Sequence, residues 1–99
     1  MLIYNVTIKV ENDIHDEWLE WMRSSHILDV INTGMFTGHR ILKVLVDDDD
    51  GITYSIQYLC KSQEHLDTYF KDYADDLQKE HTGKFEGKFV AFRTMLEEV

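Results

Sequence analysis

The side chains best suited to chemistry lie in one stretch, WLEWMRSSHILDV at residues 18–30. On a helical wheel of about 100° per residue, Ile14, Trp18, Trp21 and Met22 share one side with Ser25 and Asp29, and His26 sits on its shoulder. The face is apolar in its first half and polar in its second. Buried polar groups need partners, and two arrangements would supply them. In one, Ser25 bonds back to the carbonyl four residues earlier, Asp29 sits at an exposed end and His26 is a satisfied rim histidine. In the other, the face borders a cavity between helix and sheet. Tyr4, Tyr54 or Tyr58 would floor it, Trp18 and Trp21 would wall it, and His26 would be its ionisable member. Histidine suits proton transfer because its ordinary pKa, about 6.5, lies near working pH. The candidate pocket residues are therefore Tyr4, Trp21, Ser25, His26 and Tyr54, with His26 the candidate catalytic group.

Other chemistries find less support. None of the five histidines forms an i, i+4 pair, and no His-x-His occurs. His15 and His26 are three helical turns apart, on the order of 16 Å along an axis, too far to share one ion, so no metal site is expected. The run DDDDG at 47–51 invites comparison with a calcium loop. With Gly51 at the sixth position, Val46 and Gln57 fall where acidic ligands belong, so the run reads as a solvated hairpin tip. Cys60 is in phase with the buried set of its strand and reads as a small hydrophobe. No serine lies in a Gly-x-Ser-x-Gly turn and no glycine pattern could cradle phosphates, so no cofactor is expected. His81 extends the apolar stripe of a second helix, where it serves as a C-terminal dipole partner or closes a pocket mouth. Arg40 and Arg93 lie on strands, as interface ion-pair residues or as anion binders in a pocket.

The elements that must position these residues follow from periodicity. Residues 2–10 alternate, with Leu2, Tyr4, Val6, Ile8 and Val10 on one face, which is the period of a half-buried strand. Asn12 or Asp13 can cap a helix that runs to about Ile31, and Gly34 can end it in the left-handed conformation. HRILKVLV at 39–46 and ITYSIQYLC at 52–60 read as strands joined by an Asp-Gly hairpin. Ser62 caps a second helix with the stripe Leu66, Tyr69, Phe70, Tyr73, Ala74 and Leu77. Glycines 83 and 87 bracket a loop, and KFVAFRTML is a fourth strand. The order βαββαβ is the α+β, ferredoxin-like arrangement, a four-stranded antiparallel sheet with two helices on one face, as a single domain over residues 1–99.

Leu2, Tyr4, Val6 and Ile8, with Ile52, Tyr54, Ile56 and Tyr58, are the expected helix-facing sets. The opposite face, with Ile3, Asn5, Thr7, Thr53, Ser55, Gln57 and Leu59, is too mixed for a core and too apolar in places for water. A second copy packed on it resolves the conflict, so a homodimer through the sheet face is expected; a solvated open face is the alternative. The net charge of −9 opposes binding to nucleic acid or to an anionic membrane surface. No apolar run approaches the roughly 20 residues of a membrane span, and MLIYNVTIKV lacks the features of a signal peptide. One cysteine fits a reducing compartment, so a cytoplasmic location is expected.

The segments YNVTIKVENDIHDEWLEWMRSSHI, TGMF, TYSIQY and HTGKFEGKFVAFRTMLEEV closely resemble a small bacterial family known as a domain of unknown function. The resemblance runs nearly end to end, and Trp-x-x-Trp-Met-x-x-x-His-Ile is its most specific part. Members usually carry proline after that His-Ile; Leu28 stands there in this chain, which implies a helix that runs on rather than bends. More loosely, the layout is similar to the dimeric α+β barrel superfamily, which includes cofactor-independent monooxygenases of antibiotic biosynthesis and haem-degrading monooxygenases. That resemblance implies a homodimer and a small-molecule site between sheet and helices. The two function classes it leaves are a binding or catalytic protein with such a pocket, and a non-catalytic dimeric interaction module.

Overall fold

The structure is a computed structural model that describes residues 1–47 and 50–99. Four strands, β1 (Leu2–Val10), β2 (Gly38–Lys43), β3 (Ile52–Cys60) and β4 (Phe89–Glu97), form one antiparallel sheet in the order β2-β3-β1-β4. This is the ferredoxin-like α+β arrangement read from the sequence. The two central strands pair Tyr4 with Tyr58, Val6 with Ile56 and Ile8 with Tyr54, so the alternating sets meet on one face, where all six are buried. The second strand is shorter than expected and ends at Lys43, although Val44 still donates to the Thr53 carbonyl. The expected hairpin tip falls in part on residues 48 and 49, outside the described residues.

The first helical arm is not a regular helix. Asn12–Ile14 form a 3₁₀ turn, α1 spans His15–Trp21, Met22–His26 form a π turn, and α2 spans Ile27–Asn32. Neither Asn12 nor Asp13 caps the arm, and Asp13 instead accepts from the Lys88 ammonium at 3.0 Å. Leu28 lies within α2, so the arm does run on past the His-Ile pair. Gly34, at φ 81°, ends it in the left-handed region as expected.

The π turn has a large consequence. Its i→i+5 bonds hold one more residue in the turn than an α-helix does, so everything after it lags the regular wheel. Ile27 N–H accordingly reaches back to the Met22 carbonyl. Trp18, Met22, His26, Ile27 and Val30 point inward, while Ser25 is half-buried and Asp29 is exposed. Full burial of Met22, Ile27 and Val30 contributes about 1.5–3 kcal/mol each. A side chain back-bonds to the carbonyl four residues earlier, but it is Ser24 onto Glu20, not Ser25.

The second arm is also broken. Ser62 caps α3 (Gln63–Asp72) by accepting from the His65 N–H, and α4 (Ala74–Lys84) follows after Tyr73. The break puts Leu66, Tyr69 and Ala74 in the core and leaves Phe70 and Tyr73 at 38% and 37% exposure, against the single stripe expected. Gly83 lies inside α4 rather than at a loop edge. Among the described residues, no helix is long and apolar enough to cross a membrane.

Candidate functional site

Beneath the first arm, its side chains and those of α4, β1 and β4 enclose a cavity of about 30 Å³. Its polar lining consists of Tyr4, Tyr58, Tyr69, Gln78, His26, His81 and Arg93, and its apolar lining includes Met22, Val30, Ile56 and Phe89. His26 comes from the π turn, His81 from α4 and Arg93 from β4, so no single element supplies the site.

His26 and His81 lie with ring centroids 5.5 Å apart. Trp18 donates its indole N–H to His81 Nε2 over 2.9 Å. Indole can only donate, so this nitrogen is the acceptor and the ring of neutral His81 carries its proton on Nδ1. Phe89 meets His81 edge-on at 4.3 Å, and Trp21 stacks on His26 at 4.9 Å. Burial lowers both histidines to about 4, so both are neutral at pH 7. At His26 the Asp29 carboxylate opposes that fall and the Arg93 guanidinium adds to it; at His81 both His26 and Arg93 add to it. His26 Nδ1 is buried and has no hydrogen-bond partner among the described residues.

Tyr4 faces His26 and His81 from the floor. Arg93 Nε donates to its hydroxyl at 3.0 Å. Burial raises the Tyr4 pKa, partly offset by Arg93 and Gln78, so the phenol keeps its proton. As a hydroxyl it can accept from Arg93 and still donate.

Of the five pocket residues read from the sequence, the structure brings Tyr4 and His26 to the cavity wall. Trp21 stands behind His26, against Phe85 and His81, rather than on the wall itself. Ser25 is turned away by the π turn. Tyr54 lies elsewhere, its hydroxyl 2.7 Å from His15 Nε2 and its ring stacked on that imidazole, while His15 Nδ1 meets the Asp16 carboxylate at 2.9 Å. Sequence reasoning did not place Tyr69 or Gln78 at the site, and it weighed His81 and Arg93 there only as the lesser alternative. His81 continues the Leu77 side of its helix by four residues, which was the available signal, but reads equally as a dipole partner. Arg93 sits two residues from Ala91 on the helix-facing side of β4, and strand alternation was the only pointer to it.

Two histidines therefore meet across elements, but no group of three or more His, Cys, Asp or Glu that could hold a metal exists among the described residues. The arrangement offers a neutral imidazole base, a phenol donor and a guanidinium around a small, mostly apolar space.

Solved structures of similar shape are numerous. An ethyl tert-butyl ether D family protein from Bacillus halodurans shares 12% identity at TM-score 0.69, covering 100% of each chain. SnoaB, a cofactor-independent oxygenase from Streptomyces nogalater, shares 8% at TM-score 0.69, over 98% of this chain and 92% of that one. HapK from Hahella chejuensis shares 8% at TM-score 0.73, over 100% of this chain and 93% of that one. At such identities the likeness shows the fold. No curated protein matches the chain. The family described as Domain of unknown function (DUF4286) matches residues 1–99, and the chain belongs to it.

Proposed function

We propose that this protein binds a small molecule in the cavity between its first helical arm and its sheet, and that it does so as a homodimer. The observation that carries the first part is the orphaned Nδ1 of buried His26 on the cavity wall. Leaving a buried polar atom unpaired costs about 1–3 kcal/mol, and a ligand with a complementary hydrogen-bonding group removes that cost. Neutral His26 is also able to take a proton from a bound substrate and, as a much stronger acid than free imidazolium, to return it. Tyr4 would donate to the substrate, and the apolar wall would exclude water. SnoaB is described as a cofactor-independent oxygenase, and a chemistry needing only a base and a dry pocket fits these residues.

The homodimer reading rests on the open sheet face and on β4. Val90 and Phe92 are each 64% exposed there, Leu96 and Leu42 join them, and Met95 is exposed on the other face. A second copy packed on the open face would bury Val90, Phe92, Leu96 and Leu42.

The size of the cavity favours a second reading. About 30 Å³ holds water-sized groups, and an ordered water on His26 Nδ1 would satisfy it in a non-catalytic dimeric module. A thermal-shift screen with haem, flavin, metal ions and aromatic metabolites, run on wild type and His26→Ala, separates the two. A ligand that stabilises the wild type and acts less on the variant supports the pocket. A screen without any stabilising compound supports the module.

A further inference from the structure

The geometry points to a small organic carboxylate as the ligand, its carboxyl group held by Arg93 and Tyr4 at the cavity mouth and no more than a short alkyl group turned inward toward Met22 and Phe89. The inference rests on the pocket reading above and adds the substrate class.

Three observations carry it. First, Arg93 is committed through one nitrogen only. Nε donates to Tyr4, and no carboxylate lies within ion-pair distance of the guanidinium among the described residues. In a chain of 19 acidic and 10 basic residues that pairing is easily had, and Lys9, Lys79 and Lys88 all have it. The two terminal nitrogens keep the fork that grips both oxygens of a carboxylate.

Second, the bond from Arg93 orients Tyr4. The phenol oxygen accepts Nε–H, so its own proton is directed away from Arg93, on the side where the Gln78 side chain also meets the hydroxyl. The terminal guanidinium nitrogens and the phenol proton are donors that lie side by side, the complement of an anion.

Third, Arg93 makes the field positive at Tyr4 and His81, while at His26 the Asp29 carboxylate outweighs it. The Arg93 charge acts on Tyr4, His26 and His81 alike. Both histidines are neutral and add no charge of their own, and Asp29 is the one carboxylate felt at His26. On the helix-facing side β4 is exposed from Arg93 onward, so an anion can reach the guanidinium from solvent, with the small, mostly apolar cavity behind it.

Proton-coupled NMR titration tests this directly. Acetate and propionate, each against its uncharged amide, are added to ¹⁵N-labelled protein, and the Arg93 Nε–H and His26 ring signals are followed. A saturable shift with the acids and much weaker binding of the amides is expected. Arg93→Gln should weaken acid binding about tenfold or more, as loss of a charged hydrogen-bond pair does, and Arg40→Gln, on the opposite sheet face, should leave it unchanged. Amides that bind as tightly as acids, or Arg93→Gln behaving as wild type, would overturn the carboxylate assignment and leave the pocket standing. Absence of binding by all four compounds would overturn both.

Discussion

Trp18 Nε1 donates to His81 Nε2 over 2.9 Å, a buried bond between residues 63 positions apart that ties α1 to α4. It is the cross-element contact that fixes which side of the His81 ring faces the cavity, since the indole leaves no choice of tautomer to a neutral imidazole.

Removing the donor should be costly. Trp18→Phe leaves His81 Nε2 buried without a partner and trims a fully buried side chain, so a loss of about 2–4 kcal/mol in urea denaturation is expected. A double-mutant cycle with His81→Phe should give a coupling of about 0.5–3 kcal/mol. Additive single effects would mean that the bond contributes nothing.

Acidification should destabilise the fold. His26 and His81 have folded pKa values of about 4, below the ordinary 6.5, so the unfolded chain binds more protons between these values. Their contribution is therefore fully present above pH 6.5 and is lost as pH falls toward 4. By pH 5 the loss is about 2 kcal/mol for each histidine. Denaturation at pH 7 and pH 5 should show it, and His26→Phe should reduce the difference. A chain equally stable at both pH values would refute the buried neutral pair.

Gly51 tests the entry to β3. A Cβ there would stand 2.7 Å from the Val10 carbonyl oxygen and 2.8 Å from Lys9 Cε. The lysine end can move aside, but the strand carbonyl cannot without disturbing β1. Gly51→Ala should cost about 1–3 kcal/mol, read as a lower urea midpoint at unchanged slope; an unaltered midpoint would contradict the close approach.

The dimer reading has a direct measurement. Light scattering at tens of micromolar should give twice the 11.7 kDa protomer mass. Phe92→Asp, at a position 64% exposed in the protomer, should halve that mass without unfolding the chain. A wild-type mass of one protomer would rule the homodimer out.

Alternation and turn chemistry are local, and they carried the fold. The period-two pattern of β1 and β3, the Ser62 cap and the left-handed Gly34 required no knowledge of distant residues, and each stands in the structure where the sequence put it. The helices were legible in extent but not in phase. A wheel assumes 3.6 residues per turn throughout, and both arms depart from it, the first by a π turn at Met22–His26 and the second by a break at Tyr73.

That departure decided the candidate site. A regular wheel places Ser25 and Asp29 on the inner face and His26 at its edge; the wider turn carries His26 inward and sends Asp29 to solvent. Composition and periodicity by themselves determined a ferredoxin-like sheet with one face apolar and aromatic, because side-chain direction in a strand depends only on parity. Tertiary packing alone brought His26, His81, Tyr4 and Arg93 around one cavity, because their meeting depends on helix phase and on strand register, which arise from contacts between segments distant in the chain.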